Sequence, residues 1–185
     1  MRHGATEWSQ GGRHTGSRTD LPLLPEGEDR ARALREVLHK QSFTAVFTSP
    51  LRRAAETAAL AGFPEAERTD LLVEYDYGDY EGLTTAEILA RQPGWDLFRD
   101  GCPGGESPAD VINRAERFLE LAGGRGGRVI AFAHGHILRA VAVAWLGLGA
   151  AVASSLDLGT ASLSILAGGT RGRQLRLWNG MPVES

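Results

Sequence analysis

The tripeptide Arg2-His3-Gly4 brings together three residue types that phosphate chemistry uses. A histidine can be a nucleophile, an arginine can grip phosphate with two parallel hydrogen bonds, and a glycine lets backbone approach an oxyanion. Three further signals have the same character. They are Thr48-Ser49-Pro50-Leu51-Arg52-Arg53 continuing to Thr57, Glu74 with Tyr77-Gly78 and Glu81-Gly82, and Ala133-His134-Gly135-His136. Each alone is weak. Each follows a strand-like run, and open α/β sheets place ligands at the carboxyl ends of their strands.

The elements that must position these residues can be read from periodicity and caps. Residues 9–20, rich in Gly, Ser, Thr and Arg, read as an irregular loop. Pro25-Glu26 opens a helix whose apolar face carries Ala31, Leu34, Val37 and Leu38. Ala45 to Thr48 is a short buried strand, followed by a helix from about Leu51 to Ala61. Leu71-Leu72-Val73 reads as a strand end ahead of an acidic, aromatic loop, Glu74 to Gly82. Thr84 or Thr85 caps a short helix running to Arg91. Ser107-Pro108 is a strong N-cap and first-turn pair for a helix that ends at Gly123-Gly124. Val129 to Ala133 is the best central strand, and a helix follows His136. Ser162–Leu166 and Leu175–Trp178 look like a closing antiparallel pair. Alternating strands and amphipathic helices predict a single three-layer α/β/α domain over residues 1–185.

Composition narrows the function. The 185 residues carry a net charge of -3, so a general nucleic-acid binder is not expected. Lys40 is the sole lysine among many arginines, and arginine suits bidentate phosphate recognition. The one cysteine, Cys102, excludes an internal disulfide and points to a reducing compartment. The longest apolar run, Ala140 to Leu148, is too short to span a bilayer, and no signal segment opens the chain, so cytoplasm is expected. No metal-binding His-x-x-x-His pair, Gly-x-Ser-x-Gly elbow or phosphate-cradling Gly-Lys loop occurs, so no metal or other cofactor is expected.

In order and spacing, the four signals resemble the histidine phosphatase superfamily, the phosphoglycerate mutase-like enzymes. The matching residues run from Arg2-His3-Gly4 with Thr6 and Trp8, through His14-Thr15-Gly16 and Asp20, to Ser49-Pro50-Leu51-x-Arg53-Ala54-x-x-Thr57. They continue with Glu74-x-x-Tyr77-Gly78-x-x-Glu81-Gly82, Gly105-Glu106-Ser107 and Ala133-His134-Gly135-His136. The likeness is greatest to the small bacterial acid phosphatases of that superfamily. It implies a phosphoglycerate mutase-like fold with a mostly parallel central sheet. It also implies that His3 is the nucleophile, that Arg2, Arg53 and His134 hold the phosphoryl oxygens, and that Glu74 is the proton donor. Ser9, Thr15, Gly16 and Gly135 are the expected substrate-binding positions. Phosphoryl transfer needs positioning and positive charge more than covalent activation, and two arginines and a histidine supply that charge without a metal.

The chain departs from the family pattern in three places. Ala5 stands where Glu or Gln is common, and Ser9 where mutases have Asn. The family has an apolar strand ahead of Arg-His-Gly and only Met1 stands there, so the first strand is expected to be truncated. Glu74 would have to be protonated to act as an acid, which needs burial or a like charge to raise its pKa, and Asp76, Asp79 and Glu81 are close enough in sequence to contribute that repulsion. Among the other titratable groups, Arg52 is expected at the surface, His136 behind the catalytic residues, and His39 near a helix C-terminus for its dipole. His14 is open between substrate contact and a structural bond. Cys102, Trp95 and Phe98 are assigned to the core.

The reading is a phosphomonoester hydrolase that acts on a small phosphorylated metabolite through a phosphohistidine, without nucleic-acid or membrane partners, and open to homodimerisation. The alternatives are a 2,3-bisphosphoglycerate-dependent mutase, a sugar-bisphosphatase, and a non-catalytic phosphate-binding relative.

Overall fold

A computed structural model describes residues 1–170 and 172–181. Its first sheet has three parallel strands in the order β2-β1-β3: β1 is Ala45–Thr48, β2 is Glu67–Arg68 and β3 is Val129–Phe132. The register sets Ala45 opposite Val129 and Thr48 opposite Phe132, so β1 and β3 end together. The strands β4 (Leu163–Gly169) and β5 (Gly172–Gly180) form a separate antiparallel pair.

Among the described residues there are also seven α-helices, α1 (Glu7–Gln10), α2 (Pro25–Leu38), α3 (Arg52–Leu60), α4 (Thr85–Arg91), α5 (Leu97–Asp100), α6 (Pro108–Gly123) and α7 (Gly135–Leu146), and three 3-10 turns, Asp70–Leu72, Gly78–Tyr80 and Ala150–Ser155. Successive strand residues point to opposite sheet faces, and the two cores divide on that rule. Phe47, Val129, Ala131 and Ala133 pack with α6 and α7, whereas Val46, Ile130 and Phe132 pack with α2 and α3. This is the expected three-layer α/β/α arrangement with a parallel sheet in the middle.

Several elements begin or end as their caps dictate. Thr84, rather than Thr85, is the N-cap of α4 and forms a reciprocal capping box with Glu87. Ser107 does the same for α6 with Asp110, and Pro108 follows in the first turn.

Other elements differ from the sequence reading. Leu71-Leu72-Val73 is not a strand end: Asp70–Leu72 is a 3-10 turn capped by Thr69, and Leu72 drops into the core. The local Thr69 cap competes with strand pairing there, and pairing is confined to Glu67 and Arg68. The presumed loop after Trp8 starts as helix α1, because Thr6 and Ser9 form a capping box. Val37 is 40% exposed, so the buried stripe of α2 is Gly27, Ala31, Leu34 and Leu38. The last major helix begins at Gly135, one residue before His136, with His134 as its N-cap.

The expected brevity of the first strand is visible as a single parallel bridge, Arg2 to Ala133. Those few residues still form a backbone ladder on both sides. The His3 N–H donates to Ala133 O and the Ala133 N–H to Met1 O, each at 2.9 Å. On the opposite side Arg2 N–H donates to Ser162 O at 3.1 Å, and Ala161 N–H to His3 O at 2.8 Å. His3 is therefore aimed by hydrogen bonds to both sheets.

Candidate active site

The carboxyl ends of β1 and β3 lie beside His3, and the loops leaving them bring the remaining signals in. His3 is buried with its ring centroid 5.1 Å from that of His134, the residue that ends β3 and caps α7. The His3 Nδ1–H donates to its neighbour's carbonyl, Gly4 O, at 2.7 Å, because a carbonyl only accepts. That leaves the lone pair on Nε2. Burial, followed by the charges of Arg53 and Arg2, holds His3 well below the usual histidine range, so the ring is neutral near pH 7.

Gly4 admits no side chain. A Cβ there would lie 2.5 Å from Gly27 O, so the loop after His3 rests directly on the first turn of α2. The Gly4 N–H donates to Thr57 Oγ1 at 3.0 Å, and that hydroxyl donates to Arg53 O at 2.7 Å. Thr57 thus ties the histidine loop to α3, one helical turn beyond Arg53.

Arg53 is fully buried. It donates to three backbone carbonyls: Thr19 O at 3.0 Å, Thr15 O at 3.1 Å and Gly16 O at 3.0 Å. Its Nε has no partner. Arg2 donates to Leu158 O, and its Nε is likewise buried without a partner. Among the described residues neither guanidinium forms an ion pair. Two buried cations with only neutral partners are costly in an apolar interior, and an anion would offset that cost. Burial lowers both pKa values and nearby Glu74 raises them.

His134 is fully buried, with Nε2 2.8 Å from Ser49 Oγ and Nδ1 without a partner. Burial, Arg53 and His3 hold it well below the usual range. Ser49, read from sequence as part of a motif, orients this ring.

Glu74 overturns one expectation. Burial pushes its pKa up, but His136, His134 and the Tyr75 amide more than offset burial and hold it well below the usual carboxylate range. Its Oε1 accepts the N–H groups of Tyr75 and Ile137, both at 2.9 Å, and Oε2 accepts that of His136 at 3.1 Å. Two of these donors open the first turn of α7, where the helix dipole also favours an anion. Burial lowers the His136 pKa, and its hydrogen bond and attraction to Glu74 act the other way. Repulsion from Asp76, Asp79 and Glu81 does not set the state of Glu74, which is ionised at neutral pH.

The four expected substrate-binding positions fare differently. The Ser9 hydroxyl accepts from Thr6 N–H and donates to Thr6 O, both at 2.9 Å, so it is occupied by the cap of α1. Thr15 and Gly16 contribute carbonyls to Arg53, and the Thr15 hydroxyl is buried without a partner. A Cβ on Gly16 would lie 2.4 Å from Glu81 Oε2 and 2.6 Å from Tyr75 O. Gly135 lies against Arg2, its would-be Cβ 3.5 Å from Arg2 Cζ.

Aromatic and histidine rings form a wall beside Glu74. The His14 ring centroid lies 4.8 Å from that of Tyr77, 5.9 Å from that of Trp95 and 5.8 Å from that of His136, all tilted or edge-on, and its Nε2 lies 3.2 Å from Thr85 Oγ1. Burial, then His136, pushes His14 down to about 4. Tyr77 hydrogen-bonds His136 Nδ1 through its hydroxyl. Trp95 and Phe98 are core residues as expected, and Trp95 also faces His14. Arg52 is exposed and pairs with Glu56.

Sequence reasoning missed Arg139. It lies one turn beyond His136 on α7, its Nε is buried without a partner, and its Nη2 is 3.6 Å from Asp157. The i to i+3 spacing from His136 was the signal. Among the described residues no group of three or more His, Cys, Asp or Glu is placed to hold a metal ion. No helix of the described residues is long and apolar enough to cross a membrane.

A family model described as "Histidine phosphatase superfamily (branch 1)" matches residues 1–180. An acid phosphatase of Mycobacterium tuberculosis is 42% identical over 169 residues, covering 89% of this chain and 83% of that protein. A sedoheptulose 1,7-bisphosphatase of Saccharomyces cerevisiae is 36% identical over 182 residues, covering 80% of this chain and 67% of that one. The solved structure of a Mycobacterium tuberculosis open reading frame superposes with a TM-score of 0.93 at 39% identity, over 98% of this chain and 96% of that one.

Proposed function

Because the chain belongs to the histidine phosphatase superfamily and is a phosphomonoester hydrolase, we propose that its phosphohistidine forms on Nε2 of His3. The observation that carries the assignment is the pair of buried guanidiniums, Arg2 and Arg53, which among the described residues have no carboxylate partner, beside a neutral imidazole. A phosphoryl group supplies the anion those arginines lack.

The His3 Nε2 lone pair attacks phosphorus and the bond to the leaving oxygen breaks. Arg2, Arg53 and His134 stabilise the charge on the equatorial oxygens. The leaving oxygen takes a proton from Glu74. Water then attacks the phosphohistidine, Glu74 accepts its proton, the P–N bond breaks, and the electron pair returns to His3. Glu74 starts ionised at neutral pH, so its proton arrives with the substrate. A phosphomonoester monoanion, whose second pKa is about 6, delivers one. The phosphate charge then stabilises the protonated carboxyl, as a like charge does.

The substrate is a small phosphorylated metabolite, the class named for the yeast bisphosphatase relative. The protein works as one domain without a metal or other cofactor, in the cytoplasm, and apart from nucleic acid or membrane. The exposed outer edge of β5 is the surface through which a homodimer would pair.

The test is a phosphoryl-labelled substrate with an alkaline quench. An acid-labile phosphoprotein should accumulate in the native protein and vanish in His3→Ala. Label that survives the substitution removes His3 as nucleophile. Product analysis with 3-phosphoglycerate separates hydrolysis, which releases phosphate, from mutase turnover, which does not.

A further inference from the structure

Among the described residues, Ala161 and Asn179 are the two with a left-handed backbone that are not glycine, at φ 56° and φ 55°. A side chain is strained in that conformation, which persists where the surroundings over-determine it and is found most often at functional sites. Ala161 is buried in the loop that enters β4. Asn179 lies near the end of β5 at a bulge. Leu163 pairs with Gly180 and Ile165 with Leu177, so β5 advances three positions where β4 advances two. A bulge re-aims a side chain that strand alternation would place elsewhere.

The bulge aims Asn179 at the loop before β4. Its Oδ1 accepts the Gly159 N–H at 2.7 Å. That N–H belongs to the same planar peptide unit as the Leu158 C=O, and in a trans peptide the two point in opposite directions. Leu158 O is the oxygen that accepts from the Arg2 guanidinium. One peptide unit is therefore held between Asn179 and Arg2, and fixing its N–H fixes where its oxygen points. Hydrogen bonds linked in this way also polarise one another.

The neighbouring bonds hold the same loop. The Trp178 Nε1–H donates to Asp157 O, so two consecutive residues of β5 secure both flanks of Leu158. Ser162 Oγ donates to Gly159 O at 2.7 Å, and Asn179 N–H donates to Ser164 Oγ at 3.1 Å. A Cβ on Gly159 would lie 3.3 Å from Asn179 Oδ1, so a larger residue there would press the acceptor away.

We propose, on the reading of Arg2 as a phosphoryl ligand, that Asn179 is a positioning residue for phosphoryl binding. It acts through the Leu158–Gly159 peptide, whose carbonyl engages Arg2 Nη1 and leaves the buried, unpartnered Nε for the anion. Without the Asn179 oxygen the peptide can turn, and the guanidinium loses its aim while the backbone bonds of His3 to Ala133 and Ala161 remain.

Vanadate binding by calorimetry, which does not depend on turnover, tests this beside Tm and kcat/KM. Asn179→Gly keeps the left-handed backbone and removes the acceptor, whereas Asn179→Asp keeps both. The glycine variant should bind vanadate more weakly and lose kcat/KM, each by about 10–10²-fold, the scale of a displacement of about 1 Å. The aspartate variant should recover most of both. On an Arg2→Ala background, Asn179→Gly should weaken binding by less than about twofold further, because the two act through one contact. A lower Tm with native vanadate affinity in Asn179→Gly overturns the proposal and leaves Asn179 a structural residue. Equal losses in the glycine and aspartate variants overturn it too, as does full additivity with Arg2→Ala. Native affinity in Arg2→Ala itself removes Arg2 as a phosphoryl ligand, and the proposal with it. Weak binding by Arg2→Ala beside native binding by Asn179→Gly sinks the proposal alone.

Discussion

His3 Nδ1 lies 2.7 Å from the carbonyl oxygen of Gly4, the next residue in the chain. That contact fixes the ring proton on Nδ1 and leaves Nε2 as the basic, nucleophilic nitrogen. With burial, Arg53 and Arg2 all disfavouring the imidazolium, His3 should stay neutral and in one tautomer through the pH range in which an ordinary histidine takes up its proton. Ring-nitrogen NMR of the empty enzyme checks this. A titration near the ordinary histidine value would contradict it.

Stability should fall as the protein is acidified. His3, His14, His134 and His136 all have lowered pKa values in the folded state. Below about 6.5 the unfolded chain binds protons that the native state refuses, so stability rises with pH through that range. Glu74 acts in the same direction, since its lowered pKa is stabilising at neutral pH and that contribution is lost in acid. Tm should therefore drop between pH 7 and 5. His14→Gln should flatten part of that slope, between the unfolded value and the folded value of about 4. A Tm independent of pH would refute the account.

Glu74→Gln should discriminate between leaving groups. Alkyl phosphates need a proton on the departing oxygen and should lose about 10²–10⁴-fold in kcat. p-Nitrophenyl phosphate, whose phenolate leaves unprotonated, should lose far less. Because Glu74 is ionised at neutral pH, kcat/KM for the native enzyme should decline above about pH 6, as the substrate monoanion disappears. Equal losses on both substrates would remove Glu74 as the acid.

Arg53→Lys should not be conservative. Three carbonyls, Thr15, Gly16 and Thr19, hold a planar fork that an ammonium does not reproduce. A loss of about 10²–10³-fold in kcat/KM is expected, with weaker inhibition by phosphate and vanadate. Steady-state kinetics and inhibitor titration provide the check.

Thr57→Val should loosen the histidine loop. It removes the acceptor for Gly4 N–H and the donor to Arg53 O in a buried site. A cost of about 1–3 kcal/mol is expected. At this chain length each kcal/mol lowers Tm by about 2–4 °C. Thermal unfolding and kcat should fall together, while Thr57→Ser should retain both.

The candidate reacting groups could be named from the chain because their types and order are local information. Arg53, Glu74 and His134 each sit in a short motif after a strand-like run, and Arg2-His3-Gly4 is a motif by itself directly after Met1. Helix starts were equally readable where the cap chemistry is local, as at Ser107-Pro108 and Thr84. Leu71-Leu72-Val73 misled because three apolar residues look alike in a strand and in a buried 3-10 turn. Ser9 misled because its hydroxyl answers to Thr6, a competition that a residue-by-residue match does not reveal.

The amino-acid order by itself determined which groups could do chemistry. Their charge states belonged to the tertiary structure. Glu74 is ionised because amides of His136 and Ile137, sixty-two and sixty-three residues away, converge on it. Arg53 is oriented by carbonyls up to 38 positions distant. Ionisation depends on burial and on donors and acceptors within hydrogen-bonding reach, and folding draws those from remote parts of the chain.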